Sequence, residues 1–494
     1  MFFTGKYMVF LAIVFFAYWL LLSWRSIPAT LRVAFITGAS YYFYALLNWK
    51  FLALVFLIST IDFLTARAIG ASTDPKRRKL LLGISIAADI GTLATFKYFN
   101  FFSEPLSNLF AKFGWEVPPA VLHLVWPVGM SFLAFRSLSY VIDIYRETKE
   151  KPQRPATKYL DYLAFVSFFP TIETGPLARA HQLIPQLRKQ PELTSEEGTS
   201  AIFMIVIGAI KIAAATFIGT NLVNRVFDQP ALYSSTESLG AIYGYALQIY
   251  LNFSGYIDIA LASALLLGFR LPVNFNSPYR AKNVPDFWRR WHITLSEWLR
   301  DYVFSSLPGS PRKTVHLYWK AVVTMLIGGI WHGAGWTFVI WGALHGLGVA
   351  FNQWWDQRRR RLKRKPRQQW WVKALCVFVT FHFVCLAWVF FRAESVGQAW
   401  EVLARLGAMN FEATNLLTPV FSLPFGAEGS LPVSVLMVLV LSYLAHWFPK
   451  NALDKVRDGF TWLPSPAQAA MILGVALGLY YVSGTEAQFV YGNF

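Results

Sequence analysis

Apolar runs long enough to cross a lipid bilayer recur from one end of this chain to the other, and they restrict it to few folds. A helix needs roughly 17–25 residues to span the hydrocarbon core. Candidate spans lie at 8–24, 30–47, 51–70, 80–98, 119–143, 200–222, 238–268, 320–350, 370–391, 431–447 and 464–483. Lipid offers no water to an open backbone, so a spanning segment must satisfy its own amides, and runs of this length do so as helices. The 494 residues are 55% hydrophobic and 17% aromatic, more apolar than an ordinary soluble protein. The expected fold class is all-α: a polytopic membrane helical bundle, one domain over residues 1–494 embedded in the lipid bilayer.

Lys6 precedes the first run as in a signal peptide. No small-residue cleavage pattern follows, and the run ends in Trp24-Arg25 with another span close behind, so it reads as a retained helix. Lys and Arg number 45 against 27 Asp and Glu, a net +18. In a soluble protein that excess would suggest nucleic acid. Here the cations sit in short loops, Lys76 to Lys79, Arg146 to Lys158, Arg179 to Lys189 and Arg358 to Arg367, where the positive-inside rule accounts for them; no nucleic-acid partner is expected. These loops are expected to be cytoplasmic and the N-terminus outside. The run RRRRLKRKPR at 358–367 reads first as an orientation signal and second as a contact for anionic headgroups. Cys376 and Cys385 share one span, where helical rise separates them by roughly 13 Å, beyond the about 7 Å limit for a bridge. Both are expected to be core thiols.

No segment is long and polar enough to form a second domain, and no period of 20–50 residues indicates a solenoid. Residues 392–430 mix Gly, Pro, Asn and apolar side chains and read as an extracytoplasmic loop. Two regions do not fit simple spans. Residues 159–179 are interrupted by Pro170, Gly175 and Pro176, and predict a dip into the membrane that is tolerable only if its backbone is buried in protein or faces water. Residues 276–311 are similar. There Pro285 suits the first turn of a helix running to about Tyr302.

On that predicted helix Trp288, Trp291, Leu295, Trp298 and Tyr302 follow one side, and Arg289, His292, Ser296 and Arg300 another. Two readings are open. A cation-rich stripe bounded by tryptophan suits the phosphates of an anionic nucleotide cofactor, with Trp288, Arg289, Ser296 and Arg300 as binding candidates. The same pattern fits an interfacial helix with a tryptophan belt. The second chemically notable position is His332, inside the apolar stretch 320–350 and surrounded by Gly328, Gly329, Gly333 and Gly335. Glycine lets another backbone or a ligand come close, and Gly342 with Gly346 favours tight helix contact. An ionisable side chain at membrane depth is a functional-site hypothesis by default; a satisfied structural histidine is the alternative. His345 is placed to hydrogen-bond near the site. His123, His181, His316, His382 and His446 read as structural. Metal-protease, P-loop and serine-hydrolase motifs are absent, and no metal ligand set is expected.

Residues 252–304, NFSGYIDIALASALLLGFRLPVNFNSPYRAKNVPDFWRRWHITLSEWLRDYVF, followed by GGIWHGAGWTFVIWGALHG at 328–346, resemble the core of the membrane-bound O-acyltransferase family. The similarity is to its bacterial branch, which contains the membrane subunit of alginate O-acetyltransferase. PVGMSFLAFRSLSYVIDIYR (127–146), FVSFFPTIETGPLARA (165–180) and WVFFRAES (388–395) add to it, so that it runs from about residue 10 to 400. The resemblance implies about eleven transmembrane helices, re-entrant helices and a central tunnel from cytosol to outside. It implies that His332 is the near-invariant catalytic histidine and His292 the second histidine of the site. Asn252, where the first motif usually has Asp, and Thr174, where the branch usually has Ala, depart from the pattern and bear on the acceptor.

Acyl transfer from a thioester to a hydroxyl needs a base for the hydroxyl proton and a group to stabilise the oxyanion. A histidine titrating near neutrality fits the base role, expected for His332. His292 is left three roles: orienting the thioester, donating to the oxyanion, or holding the cofactor. The expected activity is O-acetylation of an extracytoplasmic polysaccharide such as alginate, from cytosolic acetyl-CoA as co-substrate, with no permanently bound cofactor. The expected place is the bacterial cell inner (cytoplasmic) membrane, and an extracytoplasmic or membrane-anchored acetyltransferase partner is expected to carry the group onward. D-alanyl or other acyl transfer to a cell-envelope polymer is the alternative. A transporter is the rival from another class; it predicts internal inverted repeats, which the sequence does not display.

Overall fold

The computed structural model describes residues 5–24, 27–115, 129–146, 158–309, 314–363, 369–408 and 433–482. Every regular element among the described residues is helical. Contacts group the chain into two units, Met1–Ala201 with Ala260–Val273, and Ile202–Ile259 with Asn274–Phe494.

The first unit holds α1 (Gly5–Ser23), α2 (Ala29–Asn48), α3 (Leu52–Ala71), α4 (Pro75–Leu93), α5 (Phe99–Lys112), α6 (Met130–Tyr145), α7 (Tyr159–Ser167) and α8 (Ala180–Arg188). Helix α1 is apolar on both sides: Tyr7, Leu11, Val14 and Tyr18 are buried, while Val9, Ile13, Phe16 and Leu20 point outward, as lipid contact requires. The apolar stretch Ala29–Ala71 has 43 residues; as one helix it would run about 65 Å, twice the roughly 30 Å of a hydrocarbon core. A 3₁₀ turn, Trp49–Phe51, divides it, with Asn48 extended and its side chain accepting the Lys50 N–H. Asp74 caps α4 by accepting the Lys76 and Arg77 amides, and Pro75 occupies the first helical position. Inside, Asp62 of α3 accepts from Ser85 of α4 at 2.5 Å and from Ser137 of α6, whose hydroxyl meets that of Tyr162 in α7 at 2.6 Å. One buried carboxylate thus ties four helices together. The predicted interruption is present: α7 gives way to a 3₁₀ turn at Phe169–Thr171 and then extended backbone, with every residue from Asp161 to Arg179 buried. The buried Arg136 guanidinium satisfies two of its carbonyls, Val166 at 2.9 Å and Thr171.

Two helices carry the chain through the unit boundary, α9 (Ser195–Ile218) and, after the short α10 (Asn224–Asp228), α11 (Ser235–Leu266). In the second unit α9 and α11 cross at glycine. A Cβ on Gly208 would lie 2.7 Å from the Gly255 carbonyl oxygen, and the reverse holds for Gly255. Beside the crossing Lys211 and Asp258, the last residue of NFSGYID, pair at 2.6 Å. The unit continues with α12 (Val284–Trp288), α13 (Ile293–Trp298), α14 (Thr314–His332), α15 (Trp336–Arg361), α16 (Trp370–Arg392) and α17 (Val396–Gly407), then helices at Val433–Trp447, Lys450–Trp462 and Ser465–Val482.

The predicted span 320–350 is therefore a helix hairpin, α14 and α15, held by close backbone approach. A Cβ on Gly342 would sit 2.6 Å from the Met325 carbonyl oxygen, and one on Gly346 2.7 Å from the Val322 Cα. Among the described residues six stretches are long and apolar enough to cross a membrane: Gly5–Ser23, Ala29–Ala71, Pro75–Tyr98, Ser195–Asp228, Ser235–Leu266 and Trp370–Arg392. Shorter apolar helices follow at Ser434–Trp447 and Ser465–Gly478. The predicted span 119–143 is described only from residue 129. Of the predicted loop 392–430, residues 396–407 are helical and 409–430 lie outside the described residues, as does His123. One expectation is corrected: Cys385 is buried, but Cys376 is exposed, on the outward face of α16 with Leu375 and Val379.

Candidate active site

The helix predicted from Pro285 to Tyr302 is interrupted. Asn283 caps α12 by accepting the Asp286 amide at 2.8 Å, and the helix stops at Trp288. His292 then takes the left-handed conformation, φ 42° and ψ 56°, before α13 begins at Ile293, and Leu299–Phe304 continues as a π-helical stretch. The extended strand of chain before α12 causes the break. Asn276 N–H donates to the Arg290 carbonyl at 2.9 Å and Ile293 N–H to the Asn274 carbonyl at 3.0 Å, so the Arg290 carbonyl and the Ile293 amide bond sideways, while the Arg290 and Trp291 amides still bond back to Phe287. The Asn274 side chain completes the turn: its Oδ1 accepts from Thr294 N at 3.0 Å and Thr294 Oγ1 at 2.9 Å, and lies 3.3 Å from His292 Nδ1.

This break overturns the shared face expected for Arg289, His292, Ser296 and Arg300. His292 points inward, 1% exposed, with Phe253 edge-on at 4.8 Å. Arg289 points outward, its side chain 67% exposed and 3.6 Å from Asp286. Arg300 is 64% exposed and pairs with Asp301 at 2.8 Å. Ser296 donates to the Trp291 carbonyl at 3.2 Å. Trp288 is buried and gives its indole N–H to His345 Nδ1 at 3.3 Å. Of the five residues assigned to this segment, the two outermost guanidiniums are presented to the surroundings, and Trp288 and Ser296 make internal bonds. Burial pushes the His292 imidazole down from 6.5 to about 3, so it is neutral across the physiological range.

His332 ends α14 and is 4% exposed. Its ring meets Trp331 at 4.7 Å, Trp341 at 5.0 Å and Phe391 at 5.0 Å. Glycine makes the corner possible: a Cβ on Gly333 would overlap the Phe338 ring and one on Gly329 the Phe338 carbonyl. Trp341 also contacts His345 at 4.9 Å and lies stacked on Trp388. The result is a continuous run of side chains from Trp288 through His345 and Trp341 to His332. Trp291, the neighbour of His292, joins it through Trp388 at 5.0 Å. Because an indole only donates, His345 Nδ1 is the accepting nitrogen and its hydrogen is on Nε2.

His345 is thus an internal partner, as its position predicts. His382 bonds the Tyr243 hydroxyl at 2.8 Å and the Phe378 carbonyl at 2.7 Å, and His446 accepts the Tyr279 amide at 3.3 Å, both structural roles. Sequence reasoning gave Asn274 no role. It lies 18 residues before His292, and no local spacing joins an extended segment to the turn it caps.

The sequence pattern of the membrane-bound O-acyltransferase family matches residues 123–391. The chain is 38% identical to a probable alginate O-acetylase of Azotobacter vinelandii, over 77% of this chain and 73% of that protein. It is 29% identical to a peptidoglycan O-acetyltransferase of Helicobacter pylori, over 98% and 95% of the two chains. A teichoic acid D-alanyltransferase of Streptococcus thermophilus is 28% identical over 53% of this chain and 68% of that one. With its family pattern spanning more than half its length and its apolar helices forming a multi-pass membrane protein, the chain belongs to the membrane-bound O-acyltransferase family.

Proposed function

We propose that this protein moves an acetyl group from cytosolic acetyl-CoA across the bacterial inner membrane to a hydroxyl, for O-acetylation of an extracytoplasmic polysaccharide such as alginate. One observation carries the proposal: a histidine, His332, enclosed by aromatic rings at a glycine-broken helix corner in a relative of O-acetylases. An imidazole shielded from bulk water suits a general base. In the proposed reaction the acceptor hydroxyl oxygen bonds the thioester carbonyl carbon while its proton passes to the His332 imidazole. The tetrahedral oxyanion collapses, the carbon–sulfur bond breaks, and the leaving thiolate takes the proton from the imidazolium. The products are an acetyl ester and the free coenzyme thiol.

In the same proposal Arg289 and Arg300, both outward on the segment that carries His292, meet the coenzyme phosphates, for which guanidinium is well matched. Trp288 acts through His345 rather than on the ligand. The basic loops put the donor side in the cytosol. A membrane-anchored or secreted acetyltransferase partner presents a hydroxyl at the outer mouth and passes the acetyl group to the polymer.

Reconstitution tests this. The purified protein in vesicles, given radiolabelled acetyl-CoA and polysaccharide alone, is expected to transfer little; adding the partner is expected to restore transfer. Full-rate acetylation of polymer by the isolated protein would remove the relay. D-alanyl transfer from a carrier thioester, with none from acetyl-CoA, would move the activity to the teichoic acid branch.

A further inference from the structure

We infer that Asn274 is a positioning residue that fixes His292 in one tautomer, so that His292 presents Nε2 as a hydrogen-bond acceptor to a substrate O–H or N–H. This rests on the proposed acyl transfer at this site. The Thr294 backbone N–H lies 3.0 Å from Asn274 Oδ1 and can only donate, so the side-chain amide is oriented with its oxygen toward the turn. The Thr294 hydroxyl at 2.9 Å agrees with that orientation. His292 Nδ1, 3.3 Å away, therefore faces an acceptor and bonds it only as Nδ1–H. A neutral imidazole with its hydrogen on Nδ1 has its lone pair on Nε2.

The backbone reinforces this choice. His292 is held at positive φ between the Arg290 and Ile293 bonds to the 274–276 segment, which keeps its ring against Asn274 and Phe253. The nearby guanidiniums have carboxylate partners: Arg289 and Arg290 pair with Asp286, and Arg300 pairs with Asp301. Of the three roles the sequence left open, donation to the oxyanion is the one this tautomer excludes. His292 instead accepts a hydrogen bond at Nε2, from the acceptor hydroxyl or from an amide of the thioester donor, while the transferred proton goes to His332.

The test uses the full chain in membranes with its partner and radiolabelled acetyl-CoA, and compares Asn274→Leu with Asn274→Asp. Asn274→Leu removes the acceptor and is expected to lower kcat by on the order of 10²-fold, the scale of one positioned acid–base group. Asn274→Asp keeps an acceptor. It is expected to recover much of the rate. A stable Asn274→Leu protein with wild-type rate, or a stable Asn274→Asp protein no more active than Asn274→Leu, overturns the assignment. Imidazole ¹⁵N shifts of wild type, assigned by difference against His292→Gln, read the tautomer without any Asn274 variant. Hydrogen on Nδ1 supports the inference, and hydrogen on Nε2 overturns it. Failure of the underlying reading looks different: His332→Ala would then keep its activity whatever the Asn274 variants do.

Discussion

The two histidine corners of the second unit are built by opposite means. At His332 the backbone comes close because side chains are missing: Gly329, Gly342 and Gly346 let α14 and α15 touch, and aromatic rings close over the imidazole. At His292 the backbone is forced out of the helix by polar bonds, and Asn274 holds three groups of the turn at one oxygen. Packing sets the first corner and hydrogen bonding the second. Packing excludes water from a reacting group without choosing its tautomer, whereas an oriented amide does choose one. In the proposed acyl transfer, a site that used both would have one enclosed imidazole and one whose proton is assigned in advance.

The largest expected effect sharpens that division of labour. His332→Ala should leave thermal stability near wild type and reduce acetyl transfer by on the order of 10² or more; a well-folded variant with retained activity would remove His332 as the base. Gly342→Val comes next and attacks the packing itself. Its new Cβ would meet the Met325 carbonyl 2.6 Å away, with backbone on both sides and no flexible end to yield. Overpacking of this kind costs about 1–3 kcal/mol, read as a lower melting temperature in detergent together with loss of transfer. An unchanged melting temperature would mean that the hairpin does not depend on backbone approach.

The glycine contact was legible in the sequence and the polar corner was not, for a physical reason. Gly342 and Gly346 are four residues apart on one helix, so their spacing alone puts them on one face and predicts tight helix contact, although 320–350 reads as a single span and its turn into a hairpin is seen only in the structure. Helical periodicity also placed Arg289, His292, Ser296 and Arg300 on one stripe, which is valid only while the helix continues. Asn274 and Asn276 end it from a segment distant in sequence, through bonds that no periodicity records. For the broken backbone of 159–179 the sequence leaves burial in protein or contact with water, and the structure shows burial over 161–179. Its guanidinium support from Arg136 was not legible, since nothing in the spacing links residue 136 to the carbonyls of 166 and 171.

Acidity tests the polar corner by itself. Burial lowers the folded-state value of His292 to about 3 from 6.5. Between those limits the unfolded chain binds a proton that the folded chain does not, so this residue's contribution to stability is intact above about 6.5 and declines as pH falls toward 3. The linkage slope is about 1.4 kcal/mol per pH unit for one proton. Melting curves of wild type and His292→Gln between pH 7 and pH 5 are expected to diverge, wild type losing more on the acid side. Parallel curves would mean that His292 binds its proton in the fold as it does in the unfolded chain, and would remove the effect of burial on the imidazole.

The smallest effect isolates the backbone at the polar corner from the imidazole it carries. In a helix Ala is more stable than Gly by roughly 0.5–1 kcal/mol, and the continuous helix read from the sequence predicts that order at residue 292. At φ 42° and ψ 56° the order reverses, because a Cβ in the left-handed region crowds the following carbonyl at a cost of about 1–2 kcal/mol, and glycine has none. His292→Gly and His292→Ala both lose the ring and its contact with Phe253, so that loss cancels in their difference. Thermal unfolding in detergent should therefore place His292→Gly above His292→Ala by about 1 kcal/mol, with neither active. The opposite order would mean that the turn relaxes into helix once the imidazole is gone. In that case the ring bonded to Asn274, rather than the backbone pairing of 274–276 with 290–293, is what keeps this corner out of the helix.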